Sequence, residues 1–464
     1  MIDLKISKNF FVLGLGISGL STALFLKKFS KTIFCWDDDK EKRELAADEK
    51  LLVKKFDSID NSQIDYLVVS PIINHRLPNK HPAVEKAKKM NIKIISDLEI
   101  LNIYKLPNYK IGITGTNGKS TTTKFIEKSL LSQKIRVIAC GNIGLPVTEI
   151  IPKLKKNNVL AIEASSFQLD KIDTLKFDIS ILLNLNNDHI DWHKSFDKYK
   201  KAKLRIFENQ NKNDYAVICI DDKETKRISE NFEKKFNSSL IKISTEKRVD
   251  DGIFLEDSKN GIKIYNNLNS EKIFIKKRVF NFTKVKHNFQ NLLATYTVNF
   301  LLQKKAEKFQ ESIKEIVNLE HRIEFVNRFK NISFYNDSKA TNLESTKNAI
   351  SSFPNIYWIL GGRKKRNGLK GIDNYLGNII HAFCYGECRE EFHNYLKKKS
   401  IKTLIFEDMK SAVKNAFKKS LKEKNKINIL LSPACSSFDQ FANFEDRGNK
   451  FKILVNNIIK NEKK

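Results

Sequence analysis

The sequence predicts an α/β protein of three domains, and three observations carry that prediction. Short strand-like apolar runs alternate with helical patterns along most of the chain, as in parallel sheets wrapped by helices. Two glycine-rich segments, at 14–19 and 112–121, each follow such a run and lead into a helical pattern. The length, 464 residues, exceeds what one core supports at roughly 100–200 residues per domain. The expected domains are 1–107, 108–318 and 319–464.

The first domain opens with the strand Asn9 to Leu13, then the turn Gly14-Leu-Gly16-Ile17-Ser18-Gly19, a helical stretch from Leu20 to Phe29, and a second strand, Thr32 to Trp36, ending at Asp37. This βαβ unit is Rossmann-like. Its glycines admit a pyrophosphate at a helix N-terminus, and Asp37 is placed to accept hydrogen bonds from a ribose or base. A tight turn without a ligand is the competing reading. Strands Tyr66 to Val69 and Lys93 to Ile95 continue the pattern, and Leu106-Pro107-Asn108 reads as a linker.

The second domain begins with Tyr109 to Ile113 and the segment Gly112-Ile-Thr-Gly115-Thr116-Asn117-Gly118-Lys119-Ser120-Thr121. This is a phosphate-binding loop of P-loop type. Glycines bring backbone N–H groups close to phosphates, Lys119 supplies charge at the β/γ oxygens, and Ser120 offers a hydroxyl to Mg²⁺. A nucleoside triphosphate, ATP, is therefore the expected ligand. The strict pattern would place its first glycine at position 113, which is Ile113 here. Further strands follow at 136–139, 159–162 and 179–183, and 240–280, with its Asp-Gly and Asn-Gly turns, reads as a small β appendage.

Glu163 stands at the carboxyl end of the 159–162 strand, where such folds hold Mg²⁺. His189 ends the next strand region and is a candidate second metal ligand. His189 and His193 have the spacing of a zinc pair, but no third zinc-type ligand accompanies them in a recognisable pattern, so no zinc is expected. Asn142, in Gly141-Asn142-Ile-Gly144, either contacts substrate or satisfies its own turn. Residue patterns alone do not single out Lys203 in the lysine-rich helix 199–207.

The third domain, Rossmann-like again, alternates strands at 356–360, 382–385, 403–406 and 427–431 with helices. Six cysteines are scattered, only Cys384 and Cys388 lying close, and reduced buried thiols are expected. The net charge of +30 runs along the whole chain without a stripe of interleaved aromatics. It points to an anionic substrate and not to nucleic acid. No apolar run approaches the roughly 18–20 residues that cross a bilayer, and no signal peptide precedes the first strand. A cytoplasmic protein without integral membrane contact is expected.

In this order the motifs resemble the Mur ligases, cytoplasmic enzymes that add amino acids to the UDP-muramoyl precursor of bacterial peptidoglycan. The third domain is similar to the D-glutamate-adding branch through Asn336-Asp337-Ser338-Lys339-Ala340-Thr341-Asn342, Leu360-Gly-Gly362 and the stretch Leu431 to Gly448. The Asp-Asn-Pro-Arg element of the diaminopimelate- or lysine-adding branch is absent. The resemblance implies an ATP-dependent ligase that joins D-glutamate to UDP-N-acetylmuramoyl-L-alanine through an acyl phosphate, working as a monomer with Mg²⁺ at two sites and no NAD. A sister ligase adding another amino acid, such as L-glutamate, is the alternative.

The resemblance also assigns residues. Gly115, Thr116, Asn117, Gly118, Lys119, Ser120 and Thr121 would cradle ATP, with Asn288, Asn291, Arg322 and Asp337 around adenine and ribose. Ser120, Glu163, His189 and a CO₂-carbamylated Lys203 would hold the metals; Lys119, Glu163, His189 and Lys203 form the catalytic set. Gly14, Gly16, Ile17, Ser18, Gly19, Asp37, Ser70 and Asn142 would bind the UDP precursor, and Lys339, Thr341, Lys365, Ser437 and Phe444 the D-glutamate. Two stretches depart from the family pattern, Ser70-Pro71-Ile72 and Gly361-Gly-Arg363-Lys364-Lys365.

Overall fold

A computed structural model describes residues 4–71, 73, 81–276, 287–316, 320–363 and 368–462. Lys365 and Ile72 therefore lie outside the described residues. Three sheets organise the described chain, in a three-domain α/β architecture.

The first sheet contains β1 (Asn9–Leu13), β2 (Thr32–Trp36), β3 (Tyr66–Val69) and β4 (Lys93–Ile95), all parallel, in the order β2-β1-β3-β4. The second runs β13-β12-β11-β10-β9-β8-β5-β7-β6. Its members are β5 (Tyr109–Thr114), β6 (Val137–Gly141), β7 (Val159–Glu163), β8 (Ile179–Leu182), β9 (Tyr215–Cys219), β10 (Ser239–Ser244), β11 (Gly252–Asp257), β12 (Gly261–Asn266) and β13 (Glu271–Lys276). The central strands are apolar along both faces, and every residue of β7 is buried, as expected where helices cover a parallel sheet on both sides.

Where a small β appendage was expected, the described strands of 240–276 join the main sheet. β10 pairs in parallel with β9, and β11 in parallel with β10, so these strands extend the main sheet. Asp251-Gly252 leads into a parallel strand; the turn near Asn260-Gly261 closes the β11/β12 hairpin.

These two sheets belong to one compact unit. One apolar cluster runs from Phe10 through Leu98 and Leu169 to Phe232, across both sheets. Polar contacts reinforce it: the buried Glu99 carboxylate accepts the N–H groups of Asp173, Thr174 and Leu175 at 2.8, 2.9 and 3.2 Å. Ser21 and Thr148 share a hydroxyl bond of 2.8 Å.

The second compact unit contains the third sheet, ordered β14-β15-β19-β16-β17-β18. Its strands are β14 (Glu324–Phe329), β15 (Ile332–Asn336), β16 (Ile356–Gly361), β17 (Ile379–Tyr385), β18 (Lys402–Phe406) and β19 (Ile427–Leu431). Only the β14/β15 hairpin is antiparallel among these pairs.

Candidate active site

In the second sheet, Ile113 is a fully buried strand residue paired with Glu163, so the turn begins only at Gly115. That placement explains the missing first glycine. Gly118 has a φ of +87°, and a Cβ there would lie 2.5 Å from Asn291 Oδ1 and 3.1 Å from Leu183 Cδ1. No side chain fits. The helix Lys119–Ser132 then starts with Ser120 and Thr121 buried at its first turn. Lys119 Nζ donates to the carbonyls of Gly115 and Thr116, both at 2.8 Å.

A neighbouring amide fixes the loop. Asn184, just past β8, accepts Asn117 N–H through Oδ1 at 2.8 Å and donates Nδ2 to Asn117 O at 3.2 Å. Thr116 Oγ1 lies 3.0 Å from Tyr199 OH. Lys203 follows one helical turn after Tyr199 and is buried, its Nζ 4.9 Å from the Tyr199 ring centre. This amine donates to Gly115 O at 2.8 Å and Thr114 Oγ1 at 3.3 Å. Burial, together with the nearby Lys119 charge, holds its pKa well below the usual lysine value.

Glu163 is also buried. Its Oε1 accepts Asn142 Nδ2 at 2.7 Å, while Oε2, equally enclosed, has no hydrogen-bond partner. A buried carboxylate oxygen left unmatched is costly unless a cation or donor completes it. An unmatched carboxylate oxygen is the type of ligand a hard divalent cation takes. His189 adopts φ +52° and packs edge-on against Phe167, ring centres 4.8 Å apart. His193 stacks on the same ring and lies 3.0 Å from Ser166 Oγ through Nε2. Among the described residues no three His, Cys, Asp or Glu side chains converge on one point.

On the helix His287–Leu301, Asn291 accepts Thr122 Oγ1 at 3.0 Å and donates to Asn288 Oδ1 at 3.2 Å. These amides therefore abut the phosphate loop's helix.

At the first sheet, Gly14 has φ +90°, and an added Cβ would sit 2.7 Å from Ser70 Cβ. A Cβ on Gly19 would run into the Gly14 carbonyl, whereas nothing lies within 4 Å of one on Gly16. Ile17 beside it is 84% exposed. Asp37 is buried with both oxygens engaged: Oδ2 accepts Leu15 N–H at 2.6 Å and Oδ1 accepts Asp39 N–H at 2.9 Å.

In the second unit, Asp337 follows β15 and accepts Ser432 Oγ at 2.7 Å and Ile323 N–H at 3.2 Å. Burial pushes its carboxyl up to about 7. Lys339 Nζ lies 3.6 Å over the Phe444 ring, and Thr341 N–H donates to Lys339 O at 2.7 Å. Fully buried Arg447 donates through Nε to Ser338 Oγ at 2.8 Å and through Nη1 and Nη2 to Cys435 O, both at 3.2 Å. Buried Ser437 opens the turn that follows, its carbonyl accepting Gln440 and Phe441 N–H.

Three family models match consecutive stretches: a Mur ligase MurD-like N-terminal domain over 8–96, a Mur ligase middle domain over 113–299, and a Mur ligase glutamate ligase domain over 321–435. The chain belongs to the Mur ligase family. A UDP-N-acetylmuramoylalanine–D-glutamate ligase of Rickettsia prowazekii is 35% identical, covering 95% of this chain and 96% of that protein. One from Caulobacter vibrioides is 33% identical, covering 97% and 96%. In fold, the chain is similar to a MurF ligase from Thermotoga maritima solved with ADP, with TM-score 0.60, 14% identity, and 99% and 96% coverage. A UDP-N-acetylmuramate–alanine ligase, MurC, from the same organism gives 0.58, 16%, 97% and 100%.

In this Mur ligase, the first unit brings the phosphate loop, Asn142, Glu163, Lys203, Asn288 and Asn291 into linked contacts. The second unit gathers Asp337, Lys339, Thr341, Ser437 and Phe444 around β15 and the turn after β19. Arg322 also lies in the second unit. Sequence reasoning missed Asn184 and Tyr199. The signal for Tyr199 was its four-residue spacing from Lys203, which puts both on one helix face; Asn184 had no distinguishing signal among its neighbouring asparagines.

Proposed function

We propose that this Mur ligase joins D-glutamate to UDP-N-acetylmuramoyl-L-alanine at the expense of ATP. The reading is carried by near-full-length similarity to curated D-glutamate ligases in all three regions of the chain. Residues 1–107 would bind the precursor, 108–318 ATP, and 319–464 the amino acid.

The chemistry follows from residue types. Backbone N–H groups of 115–121 and the Lys119 ammonium hold the triphosphate and meet the charge that grows on its γ-phosphoryl group. An L-alanine carboxylate oxygen attacks that phosphorus, ADP leaves, and an acyl phosphate forms. The D-glutamate amine attacks the acyl carbon, phosphate departs and the amine loses a proton, leaving an amide. Ser120, Glu163 and His189 would hold Mg²⁺, which when bound neutralises phosphoryl oxygen charge. Lys203, buried and with its pKa held down, is the amine suited to take up CO₂: its deprotonated nitrogen bonds to the carbon and gives up one further proton, leaving an anionic carbamate ligand. Asn142 orients the Glu163 carboxylate. Gly16, whose missing side chain has no internal cause, leaves room for the precursor's pyrophosphate, while Asp37 stabilises that loop. Lys339, Thr341, Ser437, Phe444 and, beyond the described residues, Lys365 would receive D-glutamate.

The test is phosphate release from ATP with UDP-N-acetylmuramoyl-L-alanine and, in turn, D-glutamate, L-glutamate, meso-diaminopimelate or L-alanine. Release with D-glutamate alone is expected; release with another amino acid would keep the ligase and overturn the substrate assignment. A ¹³C resonance from ¹³CO₂-treated protein, lost in Lys203→Ala, reads the carbamate independently of turnover.

A further inference from the structure

Cys388 and Cys435 are 47 residues apart in sequence, yet their Sγ atoms stand 3.1 Å apart, and both side chains are buried. In sequence, only Cys384 and Cys388 lie close. Cys388 caps the helix Arg389–Lys398, and its N–H and Sγ–H both point to Gly362 O, at 3.2 and 3.0 Å. Cys435 lies in the turn after β19, its carbonyl held by Arg447. Two thiols from different elements are thus fixed about 1 Å beyond the ~2.05 Å of a sulfur–sulfur bond. Neither has a part in the ligase chemistry above.

We propose that Cys388 and Cys435 form a reversible disulfide, a thiol switch that repositions the turn bearing Ser437. The oxidant is a low-molecular-weight disulfide. One protein thiolate attacks a sulfur of that disulfide and expels a small thiol; the second protein thiol then displaces the other. The protein gives up two electrons and two protons, and the small disulfide becomes two thiols. Excess small thiol reverses both steps. Burial makes the exchange slow and dependent on local opening, so the switch responds to sustained oxidation.

The consequence comes from chain geometry. Ser436 accepts Arg363 N–H at 3.0 Å, and Ser437 opens the following turn, so drawing Cys435 toward Cys388 shifts a loop that the ligase reading gives to D-glutamate. A misplacement of order 1 Å at a positioning group can cost ~10²-fold. This functional arm rests on that reading; formation of the bond does not.

The test incubates full-length protein with oxidised glutathione to equilibrium, blocks free thiols and maps peptides by mass spectrometry. The expected result is a Cys388–Cys435 cross-linked peptide, absent from Cys388→Ser and Cys388→Ala. In parallel, kcat/KM for D-glutamate should fall at least about tenfold in the wild type, recover with dithiothreitol, and hold steady in both variants under the same treatment. Glutathione adducts alone, or no cross-link, overturn the proposal. A cross-link with unchanged kcat/KM overturns the switch. Failure to ligate D-glutamate before any oxidation would sink the ligase reading, while the peptide map still decides the bond.

Discussion

The turn at Gly14–Gly19 and the loop at Gly115–Thr121 are built alike, each a glycine-bearing connection from a buried parallel strand to a helix, and each with an acid at the end of a neighbouring strand. The acids differ. Asp37 commits both oxygens to backbone N–H groups and closes its own turn. Glu163 commits one oxygen to Asn142 and keeps the other buried and unmatched. Glycines therefore report where the backbone must turn or approach, and an uncompensated polar atom reports where something else must arrive. The first loop is distinguished by the open space at Gly16, the second by charge.

The sharpest way to break this contrast is to remove charge from the second loop. Lys119→Ala should lower kcat by at least roughly a hundredfold, the scale of deleting one donor aimed at developing negative charge. Its thermal unfolding should stay near wild type, because the Nζ contacts are to carbonyls of its own loop. Initial-rate phosphate release with saturating substrates measures it, and near-normal turnover would take the loop out of the mechanism.

Glu163→Gln tests the unmatched oxygen directly. The amide keeps the shape and an acceptor for Asn142 but loses the anion. The Mg²⁺ concentration for half-maximal phosphate release should rise about 10- to 100-fold, the range seen when groups supporting a metal are altered. Stability should not fall, since a buried, incompletely paired charge has been removed. An unchanged Mg²⁺ dependence would mean that the orphan oxygen has another partner.

The glycines of the first loop separate packing from recognition. Gly14→Ala places a Cβ 2.7 Å from Ser70 Cβ at a positive φ and should cost about 1–3 kcal/mol, read by denaturant titration. Gly16→Ala meets nothing and should stay within about 0.5 kcal/mol, yet raise the KM for the precursor. Equal stability losses at the two positions would erase the distinction.

How far these features were legible in the sequence depended on whether their cause was local. The alternating runs gave three α/β regions because strand burial on both faces is written into consecutive residues, and the glycine-rich loops announced their turns. β9 and the β14/β15 hairpin went unread: Ile332–Asn336 mixes polar and apolar residues although all five are buried, since neighbours rather than sequence supply that cover. Lys203 looked like one solvated lysine among several in its helix, and its burial depends on Thr114 and Gly115, about ninety positions earlier. The meeting of Cys388 with Cys435 was likewise invisible, because only the parallel pairing of β16 with both β17 and β19 brings their ends together.

Asp37→Asn offers the finest test, because it changes the acid that the first loop has already used. The amide oxygen can accept either Leu15 or Asp39 N–H, and the amide nitrogen must then face the other as donor against donor. Losing one charge-assisted bond of this type costs about 1.5–3 kcal/mol at most, less where the chain can relax or water can enter. A drop in Tm of roughly 2–4 °C per kcal/mol is expected for a folding unit of this size. Turnover at saturating precursor should be unchanged, because the carboxylate acts through the shape of the loop. A fall in kcat at unchanged Tm would instead give Asp37 direct contact with substrate, and the two loops would then differ in which ligand their acids meet rather than in whether they meet one.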